Sequence, residues 1–251
     1  MSARTNRSNP APAPPSSDDG IEPRVGVYEE ALRESLGPNL RPFAAYYADA
    51  RRVRTLANLL ARHFHGRTGP VLNVACGAFS IEYLVLALRH HDIVSFDYTR
   101  GFAPAYRALR ERGELANTLF FIGDARLVEF QPDSFDLVIM NDLLYEPLLS
   151  LDTLVPKYDR YLRPGGLLFL TVVDVRTRWI WKALGRGQPF RRYAIPAVLA
   201  LLHEHGYRVL DCVPSALDSQ RRLGRLFRRA LWNGFRLSNE WAIVAAKGDG
   251  G

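Results

Sequence analysis

Only two cysteines, Cys76 and Cys212, occur in 251 residues, far apart and each inside an apolar run. That excludes a disulfide framework and fits reduced, buried thiols. No apolar stretch reaches the roughly 18 residues that crossing a bilayer needs, and the N-terminus lacks the apolar segment of a signal peptide. The chain is therefore expected to be soluble and cytoplasmic, with no membrane partner. Lysine-rich blocks are also missing, and the net charge of +7 is carried by arginine. Such a charge favours anionic surroundings without indicating nucleic acid. No His, Asp or Cys spacing reads as a metal site, so no metal is expected. No internal repeat is seen.

What is present is a hydrophobic content of 47%, ample for one packed core. Residues 1–22 are rich in Pro, Ser and Ala and read as a disordered tail. Residues 23–68 read as two helices, with Tyr28, Ala31, Leu32 and Leu36 on one apolar face, a break at Gly37-Pro38, and a longer amphipathic helix over Phe43 to Phe64. From residue 69 to 247 strand and helix alternate. Strands are expected at Val71–Ala75, Ile93–Asp97, Leu119–Ile122, Phe135–Met140, Gly166–Val173, Tyr207–Val213 and Trp241–Ala246. Helices are expected at Ser80–Arg89, Pro104–Arg112, Leu151–Leu162 and Pro196–His205, with a turn at Arg163-Pro164-Gly165. Such alternation implies parallel strands joined by crossover helices. An arginine-rich insertion, 214–240, separates the last two strands.

The run Val71-Leu72-Asn73-Val74-Ala75-Cys76-Gly77-Ala78-Phe79 reads as a buried strand entering a tight turn before a helix. Helix starts of this kind leave backbone N–H groups free for a ligand's polar atoms. Asp97 follows Asn73 by 24 positions and closes the next strand. A carboxylate about 20 residues on is where dinucleotide-binding folds hold a ribose. Asp124 stands likewise just beyond the third strand.

Together these pieces resemble the class I, Rossmann-like S-adenosylmethionine-dependent methyltransferases, over about residues 69–247. The resemblance rests on VLNVACG, on FDYT at Phe96 to Thr99, on GDAR at Gly123 to Arg126, on FDLVIMND and on LRPGGLLFL. It implies an α/β fold with a seven-stranded, mostly parallel sheet, helices on both faces, the last strand antiparallel and an N-terminal helical lid. It implies S-adenosyl-L-methionine as cofactor. Asn73, Ala75, Cys76 and Gly77 would line the methionine end, Asp97 and Tyr98 the ribose, and Asp124 with Ala125 the adenine. Asn141 would border the sulfonium, and Tyr46 would reach it from the lid beside Tyr47. The family usually has an acid where this chain has Asn73, and glycine in place of Ala75 and Phe79. Phe79 is expected to avoid positive φ and so to give the loop a different shape. An acid restored at position 73 is expected to preserve or improve cofactor binding.

The acceptor is expected beyond the fourth strand, at Asn141-Asp142-Leu143-Leu144-Tyr145-Glu146. There Asp142, Tyr145 or Glu146 would orient a polar acceptor or take its proton. The alternative reading makes Asp142 and Glu146 caps of the next helix. Trp179, Trp181, Phe190 and Tyr193 are candidates for an aromatic acceptor wall. All six histidines fall at helix ends, away from this loop. Without a histidine base, N-methylation is favoured over O-methylation. The sequence thus points to a methyltransferase of specialised metabolism acting on a small molecule, anionic or aromatic in character. Two rivals remain: an RNA or protein methyltransferase using Arg221, Arg222, Arg225, Arg228 and Arg229, and a non-catalytic protein of this fold that binds S-adenosylmethionine.

Overall fold

The computed structural model describes residues 21–22, 24–183, 190–215 and 238–248. The tail before residue 21 and the arginines of the insertion lie outside them. The chain begins with helices α1 (Val25–Ser35), α2 (Ala44–Tyr47) and α3 (Arg51–His63). The alternating part follows: β1 (Val71–Val74), α4 (Ser80–Leu84), β2 (Ile93–Asp97), α5 (Ala103–Glu111), β3 (Thr118–Ile122), β4 (Phe135–Met140), α6 (Leu151–Asp159) and β5 (Leu162–Val173). Helices α7 (Arg178–Ala183) and α8 (Ile195–Glu204) precede β6 (Tyr207–Ser215) and β7 (Glu240–Lys247).

The seven strands form one sheet in the order β3-β2-β1-β4-β5-β7-β6. Strands β3, β2, β1, β4 and β5 pair in parallel, and β7 runs antiparallel to both β5 and β6. The two halves of the sheet are wound from β1 in opposite directions, so β1 and β4 flank the switch point where such sheets bind ligands, beyond the carboxyl ends of their strands. All four residues of β1 are buried, as a strand covered on both faces requires, and three of them are apolar. The fourth is Asn73.

Two apolar layers hold the sheet. One packs α1, α3 and α4 against Val71, Leu137, Ile139, Leu167, Phe169 and Val244; the other packs α6 and α8 against Leu72, Val74, Val138, Met140, Leu168 and Leu170. Burying each such side chain contributes about 1.5–3 kcal/mol, so the sheet is anchored on both faces. The helix α3 contributes Val53, Leu56, Ala57, Leu59 and Leu60, the stripe its periodicity announces.

Helix α7 is not among the elements expected, and three further elements differ from the expectation. The helix expected over Phe43 to Phe64 is a 3₁₀ turn at Arg41–Phe43, then α2, then α3, because Asp49 interrupts it: its carboxylate accepts the Arg51 N–H at 3.1 Å and starts a new helix. The helix expected over Ser80 to Arg89 stops at Leu84, with a 3₁₀ turn at Leu86–Leu88. The Glu22 N–H takes the Leu84 carbonyl at 2.8 Å and Ile21 bridges Val85, removing the acceptor that another helical turn would use. Ile21 and Glu22, expected in the tail, are therefore buried parts of the fold. Finally, Arg163-Pro164-Gly165 lies inside β5. The register passes from Phe135↔Leu162 to Leu137↔Leu167, and the extra residues bulge out around Gly165 at φ 70°.

Candidate active site

Beyond the carboxyl ends of β1, β2 and β4 lies a cavity of about 560 Å³, a size suited to a small-molecule or cofactor site. Its lining includes Asn73, Ala75, Cys76, Gly77, Asp97, Tyr98, Asp124, Ala125 and Asn141, together with Asp142, Tyr145 and Glu146. Leu40, Tyr46, Tyr47 and Arg52 close it from the N-terminal helices. The structure thus gathers at one place the residues expected to bind the cofactor and the three expected to orient or deprotonate the acceptor.

The turn after β1 is built on left-handed backbone. Ala75, Gly77 and Phe79 have φ of 55°, 62° and 68°. Phe79 therefore does not avoid positive φ. Left-handed backbone costs a residue with a Cβ about 1–2 kcal/mol, and full burial of the Phe79 ring, edge-on to Phe120 at 4.9 Å, offsets it. Helix α1 braces the same turn from behind, where the Tyr28 hydroxyl donates to the Ala78 carbonyl. Burial pushes the Cys76 thiol well above its usual range, so it stays protonated and is no nucleophile.

Asp97 ends β2 with its carboxylate facing this turn. One oxygen accepts the Gly77 N–H at 2.9 Å and the other the Thr99 N–H at 2.7 Å. Each oxygen keeps a further lone pair for ligand hydroxyls. Next along the sheet, Asp124 is bound by the Arg126 side chain and by its N–H at 2.8 Å, and these bonds hold its carboxyl down at about 2. It is an ionised acceptor across the working pH range. The Ala125 carbonyl beside it takes the Tyr158 hydroxyl at 2.9 Å.

Sequence reasoning missed two participants. Arg52, on α3, pairs with Asp142 across the cavity and lies over the Tyr46 ring at 3.9 Å. Three arginines crowd the start of α3, and only the helical phase could have shown that one of them turns inward. Glu82 is 5% exposed; it accepts from Asn73 Nδ2 at 2.8 Å and from the Ser95 hydroxyl. A lone acid in the apolar run Ile81 to Leu84 was its signal.

The acceptor end also differs in detail. Asp142 and Glu146 do not cap α6; its cap is Ser150, whose side chain accepts from the Thr153 N–H. Asp142 has φ 53° and is fixed by its N–H on the Thr171 hydroxyl at 2.8 Å. Tyr145 packs on Phe190 at 5.0 Å, and burial, reinforced by Asp142, raises its phenol above the ordinary value. Of the expected aromatic wall, Phe190 backs Tyr145, Tyr193 accepts the Leu151 N–H at 3.3 Å, and Trp179 is exposed; none lines the cavity. The Trp181 side chain lies outside the described residues. Among the described residues no His lines the cavity and no three metal-ligating side chains converge.

Residues 71–166 match a model of the methyltransferase-domain family. That span, from β1 into β5, is the part of the chain that is similar to a methyltransferase domain. Solved structures share its fold at low identity. The 1,6-didemethyltoxoflavin-N1-methyltransferase of Burkholderia thailandensis, solved with 1,6-didemethyltoxoflavin and S-adenosylhomocysteine, is 18% identical, with 96% of this chain and 93% of that one covered and a TM-score of 0.59. The magnesium protoporphyrin IX methyltransferase of Synechocystis, solved with S-adenosylhomocysteine, is 14% identical, with 87% and 94% covered and a TM-score of 0.61. A [4+2]-cyclase also shares the fold, at 21% identity, 78% and 81% coverage and a TM-score of 0.56. A comparison with curated protein sequences gives no match.

The fold is that of the class I, S-adenosylmethionine-dependent methyltransferases, and the residues present fit that cofactor. The order β3-β2-β1 sets Asp124, Asp97 and the Asn73 turn side by side. An adenine amine, a ribose diol and an amino-acid group would meet an acceptor in the same succession. Among the buried polar atoms without a hydrogen-bond partner is Oε2 of Glu82, which stands behind the last of these positions.

Proposed function

We propose that this protein is an S-adenosylmethionine-dependent methyltransferase whose acceptor is a polar small molecule, methylated on nitrogen rather than oxygen. The cofactor supplies a methyl group on a sulfonium. The acceptor's lone pair forms the new bond to that carbon as the carbon–sulfur bond breaks, its electron pair staying on sulfur. With an amine acceptor the positive charge passes from sulfur to nitrogen and is shared in the transition state, so the chain's work is alignment and exclusion of water. Asp97, Asp124 and the turn at Ala75 to Gly77 hold the donor; Tyr46, Tyr47 and Arg52 cover it; Asn141 borders the reacting centre.

The observation that carries the preference for nitrogen is the state of the groups around the acceptor. Asp142 is engaged by Arg52, and Tyr145 is kept neutral by its surroundings. Neither is poised to take the proton of an alcohol or phenol. Both still orient an acceptor by hydrogen bonds. An amine reacts through a lone pair that is already free and releases its proton afterwards, to Glu146 at the exposed rim or to water. The N1-methyltransferase among the structural neighbours is in keeping with this reading.

The test is a panel of matched heteroaromatic acceptors, each offered as the amine and as the hydroxyl analogue, with S-adenosylhomocysteine release and product mass as readouts. The amine members should turn over at least about tenfold faster. Turnover confined to the hydroxyl members would overturn the nitrogen assignment, and turnover only with RNA or protein would overturn the small-molecule one.

A further inference from the structure

Glu82, bonded to Asn73, is left over once the donor and acceptor sites are assigned. Asn73 lines the cavity at the end of β1, while Glu82 sits behind it on α4 and does not line it. The two are joined by the bond from Asn73 Nδ2 to Glu82 Oε1, and the Ser95 hydroxyl donates to the same oxygen. The other oxygen, Oε2, is buried without a partner, and among the described residues no cation is paired with this carboxylate. An uncompensated carboxylate is an expensive thing to bury, and an unsatisfied polar atom in a packed interior calls for a physical reason.

The bond to Glu82 also fixes the Asn73 amide. An amide presents two donors on nitrogen and an acceptor on oxygen. One Nδ2 hydrogen goes to Glu82, which leaves Oδ1 as the amide's acceptor for the cavity beside the second N–H, and behind the amide stands a buried carboxylate. A cation is the ligand that this arrangement suits. A neutral or anionic group at the same place would leave the buried charge uncompensated. Asp97, another carboxylate of the site, is engaged by the Gly77 and Thr99 N–H groups.

We propose that Glu82 is a positioning residue for the cofactor's ammonium group, acting through Asn73. The carboxylate that electrostatics requires at the amino-acid end of the cavity stands on α4, and the neutral Asn73 relays it: Nδ2 donates to Glu82, and Oδ1 accepts from the ammonium. The asparagine of this turn is thus one half of a two-residue acidic site. The inference rests on the cofactor and is independent of which acceptor is methylated.

Calorimetry with two ligands tests it. S-adenosylhomocysteine carries the ammonium, and 5′-methylthioadenosine has the same adenosine and sulfur without the amino-acid group. The variant Glu82→Gln keeps the size of the side chain and the oxygen that accepts from Asn73 and Ser95, and removes the charge. It should weaken S-adenosylhomocysteine about tenfold or more and leave 5′-methylthioadenosine unchanged. The double variant Asn73→Asp with Glu82→Gln moves the carboxylate to the strand and reverses the bond between the two positions. It should restore S-adenosylhomocysteine to within about threefold of the unmodified protein. Equal weakening of both ligands by Glu82→Gln would overturn the proposal by showing a structural prop. So would unchanged binding of both, and so would a double variant that binds S-adenosylhomocysteine no better than Glu82→Gln.

Discussion

At the scale of single residues, the site works by giving ordinary side chains unusual partners. Asn73 looks like a lost acid until Glu82 is seen behind it. Glu82 also gives an aspartate at position 73 a cost in stability, a matter separate from cofactor binding. Asn73→Asp alone would set a second carboxylate against Glu82 across a 2.8 Å contact. Burial already raises the Glu82 carboxyl above its ordinary value, and a like charge beside it raises the pair further. A carboxyl raised in the fold contributes stability that is fully present below its unfolded value and is lost as pH rises through the folded value. Asn73→Asp should therefore cost about 2 kcal/mol at pH 8 and much less at pH 5. Denaturant unfolding at the two pH values measures it, and an equal loss at both would contradict the like-charge account.

At the scale of elements, β1, β2 and β4 carry the functional turns, and the N-terminal helices close over them. The cover meets the cavity through Leu40 in the turn before the 3₁₀ segment, Tyr46 and Tyr47 on the four-residue α2, and Arg52 at the start of α3. Part of it rests on the ligand-facing loop itself, through the Arg52 and Asp142 pair. Elements held this way open locally more readily than core strands. Amides over residues 40–52 should therefore exchange hydrogen more slowly once S-adenosylhomocysteine is bound, while those of β4 and β5 stay as they were. Unchanged exchange over 40–52 would remove the N-terminal helices from the binding event.

The elements also show what the sequence could tell. The strands were legible because parallel strands covered on both faces must be apolar runs, and β4 and β2 fall where those runs lie. Asp97 and Asp124 were legible because a strand end followed by a carboxylate is a local pattern. The interruption at Leu84 was not, since it is made by Ile21 and Glu22, more than sixty residues upstream. The bond from Asn73 to Glu82 was hidden for a related reason. It exists only because the turn between them bends back through three left-handed residues, two of which are not glycine. Arg52 could be placed on a helix but not aimed, because the break that starts α3 depends on the Asp49 side chain.

At the scale of the whole molecule, two apolar layers clamp a seven-stranded sheet, and the chemistry is confined to the edge where its winding reverses. The scaffold is common to proteins with different reactions, the [4+2]-cyclase among them, so the cavity and its groups have to carry the functional argument. Asp97 is the residue on which that argument bears most. It joins β2 to the turn after β1 through the Gly77 N–H, and on the proposed reading its two oxygens would accept from the ribose diol. The most direct measurement is calorimetric titration of the protein and of Asp97→Ala with S-adenosylhomocysteine. The account predicts saturable binding of one ligand per chain, weakened about a hundredfold or more in Asp97→Ala as charge-assisted hydrogen bonds are lost. No binding to the unmodified protein, or equal binding to both, would contradict it.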